Sequence, residues 1–144
     1  MSKVDMKTYR AKRPRKDILE DLRAEGKFFE YLHFAWALIE FRADECILKA
    51  YCLSGRNPKA KPLLGLSASK KIDLFLEIGI LSQEKHKAAT RFIRRRNGLF
   101  HREGIFVRLL EDSNLKEEIM DLALIAVDVM DELVDSMKMT VLVP

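Results

Sequence analysis

The residues best suited to chemistry fall in one short stretch of the chain, Arg96, Asn97 and His101. A helix running from about Gln83 to Glu103 puts His101 one turn beyond Asn97, about 40° round the axis, so these two share a face. Arg96 lies about 140° from His101 and must reach round with its long side chain. An imidazole titrates at about 6.5 when unperturbed and can pass a proton in either direction near neutral pH. The planar, permanently charged fork of Arg96 suits phosphate oxygens, and the Asn97 amide can hold either a phosphate or the imidazole. Together they suit proton transfer beside a phosphate on which charge develops. Metal chemistry has no comparable pattern behind it: His33, His86 and His101 are scattered, and no Cys or His pair has ligand spacing. Nothing resembles a phosphate-cradling glycine loop or a nucleotidyltransferase signature, so the sequence predicts neither a metal nor a cofactor.

The helix that carries the three residues has an apolar seam of Ala89, Phe92, Arg96 and Leu99, with Ile93, Asn97 and Phe100 beside it. A guanidinium in such a seam is costly to bury unless an acid meets it, which predicts a partner from another helix or another subunit. The best candidate is Glu40, on a side stripe of an earlier helix with His33, Ala37 and Asp44. Gly98 either loosens the motif helix or admits another backbone. Arg91, Arg95 and Arg102 share a different face, either as a solvated stripe or as contacts to a nucleic acid backbone. A purely structural reading also fits the residues alone: Arg96 pairs with an internal acid, Asn97 caps or cross-links helices, and His101 benefits from a helix C-terminus.

Helices must place these groups. Periodicity predicts a short helix from Pro14 to Ala24 with Gly26 as its stop. A long packed helix follows from Lys27 to Leu53, its seam made of Phe29, Leu32, Trp36, Ile39, Ala43, Cys46, Ala50 and Leu53. Trp36 falls in that seam and reads as core more than as a base-stacking platform. Pro58, Pro62 and Gly65 among Arg56, Lys59 and Lys61 predict a basic loop up to Leu66. Ser67 is a suitable N-cap for a helix carrying Ile72, Phe75, Leu76 and Ile78, with Gly79 interrupting it, and Ser82 opens the motif helix. After an apolar connector, Ile105 to Leu110, Asn114 with Glu117 resembles a capping box for a last helix from Leu115 to Lys138. That helix carries two adjacent apolar stripes, one of Ile119, Leu122, Ala126, Val129 and Leu133 and one of Met120, Leu124, Val127, Met130 and Val134. A face so wide calls for either a central place among the helices or a second subunit.

At 144 residues and 48% hydrophobic content the chain suits one domain, here a basic arm over residues 1–13 and a helical domain over residues 14–144. The fold class expected is all-α, a single antiparallel bundle of four to five helices that forms a homodimer. No run of about eighteen uncharged apolar residues occurs, and the first twenty residues carry charges where a signal peptide needs an apolar stretch, so a cytoplasmic protein without a membrane span is expected. Cys46 and Cys52 lie about 9 Å apart along one helix, beyond disulfide reach. The net charge of +4 hides an asymmetry, because residues 1–110 hold 24 basic and 13 acidic side chains whereas residues 111–144 hold nine acids against Lys116 and Lys138. Such a split suggests a polyanionic partner for the basic part, or charge placed for solubility.

One resemblance sharpens the reading. The segment from Lys71 to His101, with Ile72-Asp73-Leu74, the break Gly79-Ile80-Leu81-Ser82, and Phe92-Ile93-Arg94-Arg95-Arg96-Asn97-Gly98-Leu99-Phe100-His101, resembles the HEPN superfamily. The hallmark of that superfamily is an Arg, usually followed by a polar residue, with a His a few residues on. The similarity of helical plan extends over roughly residues 17–138. It implies an all-helical dimer whose two motifs face one another across a shared cleft, and in many members metal-independent cleavage of RNA. Carried onto this chain, the catalytic residues are Arg96, Asn97 and His101, with Phe100 a bulky residue where many relatives have a small one. The partners implied are RNA or a nucleotide, and for a toxin or defence component an antitoxin or nucleotidyltransferase protein. The competing expectation is a non-catalytic module that binds a nucleotide, an RNA or a protein as a regulator.

Overall fold

A computed structural model describes residues 15–52, 57–101, 108, 109 and 111–141, with side chains described for all of these except 15, 52, 57–60, 100, 101 and 138–141. The basic arm over residues 1–13 lies outside the described residues, as do Gly104 and most of the apolar connector. Among the described residues there are six helices and no strand: α1 (Arg15–Ala24), α2 (Phe28–Cys52), α3 (Asn57–Leu64), α4 (Ala68–Glu77), α5 (Gln83–His101) and α6 (Ser113–Val141).

The glycines and serines act at the helix ends as their chemistry dictates. Gly26 and Gly79 adopt φ of 71° and 82°, the left-handed region that lets a chain leave a helix without a Cβ clash. Ser67 Oγ accepts from the Lys70 amide at 3.3 Å, and Ser82 Oγ accepts from the Lys85 amide at 3.2 Å, so α4 and α5 both begin on a serine cap. The start of α6 departs from expectation. Its cap is Asp112, whose Oδ1 accepts from the amides of Asn114 and Leu115 at 3.0 and 3.1 Å, and no capping box centred on Asn114 is needed.

The expected basic loop contains a helix, α3. Pro58 stands in its first turn, where a missing N–H costs nothing, and Pro62 lies within it. Leu63 and Leu64 lie partly buried against the core, and that packing outweighs the proline signal.

Helix α6 is the centre of the fold and packs along both α2 and α5; α2 also meets α1, α3 and α4, and α4 meets α5. Both stripes of α6 are buried apart from half-buried Leu124. Its breadth is therefore filled within one chain, which removes the argument from α6 for a second subunit. In α2 the buried residues are Phe28, Tyr31, Leu32, Ala35, Leu38, Ile39, Ala43, Cys46, Ile47 and Tyr51. The seam thus runs one residue off the expected line in its first half, which leaves Phe29 exposed and Trp36 at the margin of the core. Tyr31 is buried because its hydroxyl donates to the Met120 carbonyl of α6 at 3.2 Å, satisfying the one polar atom of a large ring.

Ion pairs hold the same helices from outside. Arg23 of α1 meets Glu117 and Asp121 of α6, and Lys16 meets Asp128 at 2.8 Å. Arg42 of α2, little exposed, bonds Asp131 at 2.8 Å and Glu45 at 3.0 Å. Lys85 and Arg95 of α5 meet Glu132 at 3.1 Å and Glu118 at 3.0 Å. The acids of the last helix are thus matched by bases of the earlier ones, and much of the charge asymmetry in the sequence is met within the chain.

Candidate functional site

The motif helix α5 buries Ala89, Phe92, Ile93 and Leu99 against the core, and this fixes where its polar residues point. Phe92 packs on Trp36 of α2 with ring centroids 6.5 Å apart and planes tilted by 58°. One turn beyond Phe92, Arg96 places its guanidinium carbon 3.9 Å from the centroid of the Trp36 ring, within cation–π range. Phe92, Trp36 and Arg96 thus form a continuous line of contacts that begins in the core and ends at half-buried Arg96. Arg96 is half-buried at its outer end.

Burial holds the Arg96 guanidinium below its ordinary pKa, because a charge partly removed from water is disfavoured. The charge of Glu40 opposes this and draws the pKa back up. Glu40 is therefore the electrostatic neighbour that the sequence suggests, but it stands on the exposed surface of α2 instead of pointing inward. Asp44, one turn further along the same stripe, takes another cation: Lys71 of α4, itself almost fully buried, reaches it with Nζ 2.5 Å from Oδ1. His86 near the start of α5 bonds Asp73 of α4 at 2.7 Å, and Thr90 Oγ1 donates back to the His86 carbonyl at 2.9 Å. The bond to Asp73 moors the first half of α5 to α4, and the contact of Arg96 with Trp36 moors the second to α2.

Asn97 is exposed, beside Arg96 on the outer surface of α5, so it does not interrupt the buried seam. The helix continues through Gly98, where a Cβ would meet open space among the described residues, and no neighbouring backbone there requires the glycine. The helix reaches His101, one turn past Asn97, while the imidazole itself lies outside the described side chains. Of the basic stripe, Arg91 is exposed, Arg95 is engaged by Glu118, and Arg102 lies outside the described residues. The arrangement brings together Arg96, Glu40 and the adjoining Asn97. Trp36 is a neighbour of Arg96 that sequence reasoning places in the core. The available signal was its spacing from Glu40, since residues four apart on α2 stand one above the other.

Among the described residues, no group of three His, Cys, Asp or Glu could hold a metal ion, and no helix is long and apolar enough to cross a membrane. No protein-family model matches the chain, and neither a curated protein nor a solved structure resembles it.

Proposed function

We propose that this chain is a metal-independent endoribonuclease of the HEPN type, acting as a homodimer with its site between two copies of α5. The observation that carries the reading is Arg96: a guanidinium at the margin of the core, held on Trp36 and partly stripped of water, next to exposed Asn97, which stands about one helical turn before His101. A desolvated, oriented cation is a stronger partner for phosphate oxygens than a fully hydrated one.

RNA carries its own nucleophile. His101, or its copy in a second subunit, takes the proton of the 2′-hydroxyl, the 2′-oxygen attacks phosphorus, and the 5′-oxygen leaves with a proton from the other imidazole. Arg96 balances the charge on the pentavalent phosphorus, and Asn97 orients the phosphate or the ring. Exposed Arg91 and the basic residues over 1–13 add sequence-independent attraction for the backbone. A toxin or defence role, with an antitoxin or nucleotidyltransferase partner, fits such an activity. A regulator that binds RNA, nucleotide or protein through the same helical surface is the competing role.

Purified protein incubated with total RNA tests the reading. Cleavage should persist in EDTA, leave 2′,3′-cyclic phosphate ends, spare 2′-O-methylated RNA, and vanish in a folded His101→Ala variant. Wild-type protein that binds RNA without cutting it favours the regulator. Mass in solution at tens of micromolar tests the dimer, and a monomer there rules out a shared cleft.

A further inference from the structure

We infer that Trp36 is the positioning residue of the site: its indole face seats Arg96 and aims that guanidinium at a phosphate of an RNA backbone. The inference rests on the ribonuclease reading for its ligand, though not for its geometry. Three observations on the molecule carry it. The Arg96 carbon stands 3.9 Å from the ring centroid, closer than most cation–π pairs require. Phe92, itself fully buried, backs the indole at 6.5 Å, so the ring is supported from the core side. Glu40, a charge that attracts Arg96, stands one turn along α2 from Trp36, so two of the groups that act on the guanidinium belong to the same helix.

The chemistry of the pair explains why a tryptophan is used. A carboxylate that positions an arginine takes its N–H donors and neutralises its charge. An aromatic face attracts the cation through its quadrupole and leaves the charge intact. The donors of a guanidinium lie in its plane, so an attraction to the ring does not by itself consume them. A charged group partly desolvated and held in one orientation loses less rotamer freedom when it meets a phosphate than a lysine or arginine free in water. Glu40 then acts as a screened counter-charge that keeps the cation from straying, and an incoming phosphate competes with it.

Trp36 is the single tryptophan of the chain, so the emission comes from this ring alone and senses what lies against it, Arg96 included. The experiment compares the emission spectrum of the wild-type protein with that of Arg96→Met, then titrates both with inorganic phosphate and with a 2′-O-methylated RNA oligonucleotide. The expected result is a changed spectrum in the variant, and in the wild type a saturable emission change with either anion that the variant lacks. A variant spectrum identical to wild type overturns the seat. A changed variant spectrum with no response of the wild type to either anion leaves the seat and removes phosphate from it, which is the failure of the ribonuclease reading. Binding of the same oligonucleotide should weaken by about fivefold to tenfold in Trp36→Leu, the size of a half-exposed cation–π contact. Trp36→Phe, which keeps an aromatic face, should stay within about threefold of wild type. Circular dichroism of both variants separates folding from positioning. If Trp36→Phe loses binding as completely as Trp36→Leu while both remain folded, the face of the ring is not what holds Arg96.

Discussion

Replacing Arg96 with methionine removes the charge but keeps an unbranched apolar chain to lie against Trp36 and Phe92. The wild-type guanidinium gains about 1 kcal/mol from the indole at this half-exposed position, and about 0.5 kcal/mol from exposed Glu40 after solvent screening. Against that stands the cost of its partial burial, which exceeds the attraction of Glu40, since the pKa of Arg96 falls below its ordinary value. A thioether on the same rings recovers about 0.5 to 1 kcal/mol. The changes cancel to within about 1 kcal/mol, so the midpoint of thermal unfolding should move by no more than about 4 °C in a protein of this size. RNA cleavage should fall by a factor of about 100 or more, as when a preorganised donor to a developing oxyanion is removed. Thermal melts followed by circular dichroism give the first quantity, and initial rates on a labelled RNA give the second. A loss of stability above about 2 kcal/mol refutes the reasoning, because it means that Arg96 is a structural cation and that its removal disables the protein by unfolding it.

Arg42→Ala should cost about 2 kcal/mol, because it leaves half-buried Asp131 and Glu45 without their cation. Burial already holds the Asp131 carboxyl above its ordinary value with Arg42 opposing, so the folded state binds that proton more tightly than the unfolded one and stability falls as pH rises through the carboxylate range. Without Arg42 that window should extend upward, and the deficit should shrink again at low pH or on adding Asp131→Asn; a deficit that does not vary with pH assigns the loss to the arginine stem. Cys46, buried with its thiol pushed up to about 12 by desolvation, should resist alkylation in the native protein at pH 8 and react only under denaturing conditions, as peptide mapping can show. Gly98→Ala should raise stability by about 1 kcal/mol, since its Cβ meets open space among the described residues; a fall in stability or in dimer mass in solution would mean that a second copy approaches there.

The helices whose boundaries rest on local chemistry were legible. Ser67, Ser82, Gly26 and Gly79 act within a few residues of themselves, so sequence neighbours suffice to read them. What escaped depends on contacts between distant residues. Helix α3 holds Pro58 and Pro62, and its apolar end, Leu63 and Leu64, packs against the core. On α2, lines through Ala35 and through Trp36 both satisfy a three-and-four spacing, and the buried Tyr31 hydroxyl, paired across 89 residues, decides the phase. Trp36 was therefore placed inside the seam when it belongs to the margin, where a ring can hold a cation. Charge pairing depends on the fold in the same way: Arg23 and Glu117 stand 94 residues apart, and only the fold makes them neighbours.

The pairing of α6 with the bases around it has a consequence for any anion that would approach them. Helix α6 is in effect a polyanion that the chain supplies to itself. Glu118 already occupies Arg95 as a phosphate would, and Glu117, Asp121, Asp128 and Glu132 occupy Arg23, Lys16 and Lys85 in the same way. An external ligand must outbid these carboxylates wherever it meets them, so isolated negative charges gain little there and a dense backbone gains more. The last helix thus sets how much negative charge any such ligand would have to bring to displace it.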